Sequence, residues 1–130
     1  MADNPSSPIN ELFTDTEPID INMIVDVLKS FIRIKRDTNE IFFTEAGNKA
    51  SVIERILIFA LARKVLKVGG HIDSESFSAK GVSDLLQLKK GTVDATFSTL
   101  RNKSFILGKG SEYVLPNYKI TDILKLLKNK

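Results

Sequence analysis

The sequence predicts a mainly α-helical chain with a small β component, of the α+β class, and three observations carry that prediction. Apolar residues recur at i, i+3, i+4 and i+7 spacing in several separate stretches, as in helices that bury one face. Ser51-Val52-Ile53-Glu54 matches the S-x-x-E capping box that opens a helix. Two pairs of short strand-forming runs, one around Asp37-Thr38-Asn39 and one around Gly108-Lys109-Gly110-Ser111, read as antiparallel hairpins.

Taken in order, residues 1 to 18 are polar and acidic, carry Pro5, Pro8 and Pro18, and read as a disordered tail. Residues 19 to 46 form an N-terminal extension of one helix and one hairpin. Asp20 can cap a helix carrying Ile21, Ile24, Val25 and Leu28 and ending near Ser30. Phe31 to Lys35 then alternates apolar and basic residues, and Ile41 to Thr44 is rich in strand formers. Arg33, Lys35 and Arg36 are interleaved there with Phe31, Phe42 and Phe43. Such a mixture can bind single-stranded nucleic acid, or simply divide aromatics inward and charges outward.

Residues 47 to 130 form the main domain. Its first helix should run from Val52 to Lys67 and close at Gly69, and its centre, Ile56 to Ala62, is apolar on every side. Such a helix must be covered on more than one face. Asp73 to Phe77 reads as extended, Ser78 as the cap of the next helix, and Phe77 with Val82 as a hydrophobic staple. That helix offers Val82, Leu85 and Leu86, and after a tight polar turn a second one offers Val93, Phe97 and Leu100 on one stripe. Ala95, Ser98 and Asn102 face the other way. Ser104 to Leu107 and Glu112 to Leu115 read as strands around the glycine-rich turn. A last helix, Tyr118 to Lys128, carries Ile120, Ile123, Leu124 and Leu127 on one stripe, which can fold back or form half of a dimer seam.

Composition narrows the function. Without cysteine, disulfides and thiolate metal sites are excluded. The N-terminus MADNPSSPINELF has neither the basic nor the apolar region of a secretory signal, and the seven-residue apolar run is far short of the roughly 20 residues a bilayer needs, so a cytoplasmic protein with no membrane partner is expected. Beyond residue 20 lie all 19 basic residues and 11 of the 16 acidic ones, a net +8, against −5 for residues 1 to 20. A basic domain favours a polyanionic partner. His71 stands alone in a glycine loop, and no phosphate loop, dinucleotide fingerprint or paired-carboxylate spacing occurs, so neither an enzyme nor a metal or cofactor site is expected.

The order helix, short strand, helix, turn, helix, two strands, helix over about residues 51 to 128 resembles the winged helix-turn-helix superfamily. The residues that carry the likeness are Phe77 to Leu86, Gly91-Thr92-Val93, Leu100, Phe105-Ile106-Leu107 and the wing turn Gly108-Lys109-Gly110. The resemblance implies double-stranded DNA as partner, with the second helix in the major groove. It would set Thr92 near phosphate, Lys80, Lys89 and Lys90 along the backbone, and Lys109 at the wing tip. Base reading would fall to Asp94, Ser98, Thr99 and Asn102, of which Asn102 can pair with adenine and Asp94 can accept from cytosine. Regulators of this type often carry arginine on that face, whereas this chain has Asp94 and Ala95; a carboxylate there also suits the helix N-terminus without DNA. The expectation is a homodimeric transcriptional regulator, joined through the N-terminal region or the C-terminal helix, with any small-molecule effector unspecified. The alternatives are a winged-helix protein-docking module and a single-strand or RNA binder using the hairpin.

Overall fold

The computed structural model describes residues 20–109 and 111–128, with Lys109 described by its backbone alone. The acidic segment 1–18 and the Gly110 tip of the second hairpin lie outside the described residues. Six α-helices are described: α1 Ile21–Leu28, α2 Glu45–Lys49, α3 Val52–Val68, α4 Ala79–Leu86, α5 Lys90–Asn102 and α6 Ile120–Lys128. Two antiparallel hairpins interrupt them, β1 Ile32–Ile34 with β2 Ile41–Phe43, and β3 Leu107–Lys109 with β4 Glu112–Val114. The protein is thus mainly helical with small β elements, as expected.

Helix α3 is the centre of the molecule. Its capping box forms, with Ser51 Oγ accepting from the Glu54 N–H at 3.2 Å and Glu54 Oε1 accepting from the Ser51 N–H at 2.8 Å. Ile56, Leu57, Ile58, Ala60, Leu61 and Ala62 are all buried, and α1, α5 and α6 pack around the helix. Each fully buried isoleucine or leucine contributes about 1.5–3 kcal/mol, so α3 anchors everything else. The helix runs one residue further than expected, to Val68, and closes at Gly69 as read. Gly69 is the cap in ordinary helical geometry, and Gly70 takes the left-handed conformation, φ +79. The Gly70 N–H then reaches the Lys67 carbonyl at 3.0 Å and the His71 N–H the Leu66 carbonyl at 2.9 Å, a Schellman closure.

Helix α1 buries the expected Ile24 and Leu28 and packs Ile21 partly against the core, but Val27 takes the inward place expected of Val25. Ile24, Val27 and Leu28 are inside, whereas Val25 is 41% exposed. The helix also ends at Leu28, because the chain turns there to start β1. In the first hairpin Arg33 pairs with Phe42 on the outer face, while Ile32, Ile34, Ile41 and Phe43 turn inward. Strand alternation therefore sends Phe43 to the core side and leaves Phe42 as the outward aromatic, 50% exposed, while Phe31 is buried from the turn that precedes β1.

The short helix α2 was not anticipated. Thr44 caps it, accepting from the Gly47 N–H at 3.2 Å while its hydroxyl donates to the Ser30 carbonyl at 2.8 Å. Gly47 lies so close to the preceding chain that a Cβ would sit 2.1 Å from the Phe31 carbonyl oxygen. Gly47→Ala is accordingly expected to destabilise the fold by about 1–3 kcal/mol, read as a lower urea midpoint at unchanged slope.

Helix α6 folds back on its own chain. Ile120, Ile123, Leu124 and Leu127 are buried, with α6 lying against α1 and α3. Its apolar stripe is spent within the molecule, whereas the N-terminal region keeps Met23, Val25 and Phe42 exposed. The extension 19–46 and the main domain share one core, since α1 contacts both α3 and α6.

Candidate nucleic-acid interface

The segment from Phe77 to Asn102 builds the surface that the sequence singled out. Ser78 caps α4, its Oγ accepting from the Gly81 N–H at 3.0 Å, and both staple residues, Phe77 and Val82, are buried. Val82 and Leu86 face the core; Leu85, expected beside them, is 38% exposed. The turn is made by Gln87 in left-handed geometry rather than by glycine. Two bonds clamp it: the Leu88 N–H to the Ser83 carbonyl at 3.1 Å, and the Ser83 hydroxyl to the Leu88 carbonyl at 2.6 Å.

Helix α5 divides as its spacing requires. Val93, Phe97 and Leu100 are buried, while Thr92, Asp94, Ala95, Ser98, Thr99 and Asn102 are exposed. The helix begins at Lys90, with Lys89 as an N-cap whose side chain makes no capping bond. Its first-turn N–H groups are thus open to an anion, at the positive end of the helix dipole. Thr99 Oγ1 donates to the Ala95 carbonyl at 3.3 Å, which commits its hydroxyl to the backbone. Thr92 keeps its hydroxyl free of partners among the described residues, but offers its carbonyl to the Thr96 hydroxyl at 2.9 Å.

One expected role changes here. Lys90 and Asp94 form an i, i+4 ion pair at 3.0 Å, so Lys90 is partly committed and the Asp94 carboxylate is partly neutralised. Both side chains stay solvated, at 69% and 49% exposure, and such a pair contributes only a few tenths of a kcal/mol. It can be reorganised by a competing anion at little cost. Lys80 stands exposed in the first turn of α4, on a separate element from Lys89 and Lys90. The sequence reading passed over Arg101 and Lys103, which are both exposed at the far end of α5. Their place directly after the apolar stripe was the available signal.

The second hairpin begins later than expected. Ser104 adopts φ +61, the Phe105 N–H bonds the Leu100 carbonyl at 2.9 Å, and this closure of α5 postpones β3 to Leu107. Lys109 therefore ends a strand and pairs with Glu112, instead of standing in the turn; its side chain lies outside the described residues. A line of four rings fixes the hairpin against α5. Phe59 of α3 meets Phe77 edge to face at 6.0 Å, Phe77 meets Phe97 at 5.8 Å, and Phe97 meets Tyr113 at 5.0 Å. Phe77 and Tyr113 also exchange backbone bonds at 2.8 and 2.9 Å, adding a bridge beside the hairpin. The Tyr113 ring lies across Gly108, where a Cβ would meet it at 2.2 Å.

Among the described residues no group of three or more histidine, aspartate or glutamate side chains is placed to hold a metal, and no helix is long and apolar enough to cross a membrane. What the α4–α5 surface can do is present small polar side chains and cations to an extended anion. Compared with models of protein families, with curated proteins and with solved structures, the chain matches none.

Proposed function

We propose that this protein is a winged-helix DNA-binding protein that places α5 in the major groove and the β3–β4 hairpin against the adjoining backbone. The observation that carries the reading is the exposed polar face of α5, opposite a fully buried stripe and opened by Lys89 without a side-chain cap. The order α3, the Phe77 bridge, α4, α5 and hairpin supports the winged-helix architecture. Lys80, Lys89, Lys90, Lys103 and Lys109 would contact phosphates, with Thr92 and the first-turn N–H groups between them. Ser98, Thr99 and Asn102 would face base edges, Asn102 toward adenine and the Thr99 methyl toward thymine, while Asp94 would accept from cytosine. Action as a transcriptional regulator, in a homodimer joined through the N-terminal region, accords with the outward Met23, Val25 and Phe42.

Anisotropy titrations of a random-sequence duplex across salt concentrations test this. Five phosphate contacts predict a log–log slope of about −4 to −5. Absence of binding at low salt and micromolar protein would instead favour a second reading, a protein-docking module. The outward apolar residues of the N-terminal region and the acidic Asp94 on the α5 surface favour that reading.

A further inference from the structure

We propose that the cavity between α1, the β1–β2 turn and the C-terminal end of α3 binds a small amphipathic carboxylate, its apolar body against Ile21, Ile34, Val65 and Val68 and its head group on Arg36. The cavity measures about 570 Å³, within the range of small-molecule sites. Its walls are mostly aliphatic, and among the described residues no aspartate or glutamate lines it. Arg36 is exposed at its edge and makes no ion pair or side-chain hydrogen bond among the described residues. An apolar floor with one unopposed guanidinium is complementary to a ligand with an apolar body and a single planar anion, because the guanidinium fork matches a carboxylate bidentately.

The site is also built in advance. Asn39, in left-handed geometry at φ +61, donates from Nδ2 to the His71 carbonyl at 3.1 Å and so ties the hairpin turn to the end of α3. The His71 N–H is held by the Schellman closure of α3, so both sides of the mouth are fixed by hydrogen bonds independent of any ligand. Two other cavities lack this one-signed character. The groove between α1, α2 and α6 mixes Asp26 with Lys49 and Lys128, and the one beside Glu75 is taken by the chain's own ion pairs. This inference stands independently of the duplex-binding reading.

Calorimetry of the full chain with octanoate, and with 1-octanol as the uncharged match, decides it. Octanoate is expected to bind saturably at one site, with octanol about tenfold weaker or more. Arg36→Gln should bring octanoate down to the octanol level, and Val68→Glu, a change at a residue 53% exposed, should weaken it likewise, both at an unchanged melting temperature. Failure of octanoate to saturate below about 1 mM, equal binding of octanol, or full octanoate binding in Arg36→Gln would each overturn the proposal.

Discussion

Changing Lys89, Lys90 and Lys109 together to glutamate is expected to lower duplex affinity by about a hundredfold or more at moderate salt. Three of about five phosphate contacts are removed, and three repulsive charges replace them. In the variant the carboxylate introduced at position 90 would also face Asp94 across one helical turn, converting the present 3.0 Å attraction into repulsion beside the proposed DNA backbone. Lys89 and Lys90 are exposed, so their replacement should scarcely move circular dichroism or the melting temperature, whereas the carboxylate at position 109 stands opposite Glu112 in the hairpin and should cost about 0.2–1 kcal/mol. Anisotropy measured as a function of salt checks both the affinity and its slope. Binding that persists with unaltered salt dependence would remove α5 and the wing from the interface and overturn the proposed mode of DNA binding.

A large stability effect is expected at Lys64. This lysine is 2% exposed within α3, donating to Glu75 and, at 2.7 Å, to Asn117 Oδ1. It thereby ties the central helix to the segment before α4 and to the 3-10 turn Asn117–Lys119 before α6. Glu75→Ala leaves a buried ammonium without its carboxylate and should cost about 3–5 kcal/mol, a large share of the stability of a small domain. Lys64→Met keeps the length of the aliphatic stem, removes the charge that must be desolvated, and should cost less, about 1 kcal/mol. Urea denaturation of the two variants and the double variant separates the effects. If Lys64→Met proves the more damaging, the attraction outweighs desolvation at this site.

Features whose cause is local were legible in the sequence. The Ser51–Glu54 capping box, the Ser78 cap and the buried stripes of α5 and α6 depend on spacing within one turn or one helix, and all form as read. Features decided by distant neighbours were not. In α1, Val25 and Val27 compete for the inward face that Ile21, Ile24 and Leu28 share, and packing against α3 selects Val27. Helix α2 contains Gly47 and Asn48, poor helix formers, and is held by the close approach of Gly47 to Phe31 and by the Thr44 bond to Ser30. A lysine beside Arg63 at the end of an apolar run gives no sign of a partner eleven residues on, so the Lys64–Glu75 pair was invisible. Within the candidate interface, the exposed face of α5 was read correctly, while the pairing of Lys90 with Asp94 and the strand position of Lys109 needed the folded backbone.

The ring line from Phe59 to Tyr113 has a consequence for what the surface can grip. Edge-to-face contacts favour particular mutual angles, and three in series hold the outer ridge of α5 and the blade of the hairpin like the jaws of a calliper. A double helix that touches both jaws must already have the matching groove width or be deformed to it. Steps that narrow or widen easily would then be preferred at positions no side chain reaches, so selectivity would arise from the mechanics of the nucleic acid as well as from its base edges.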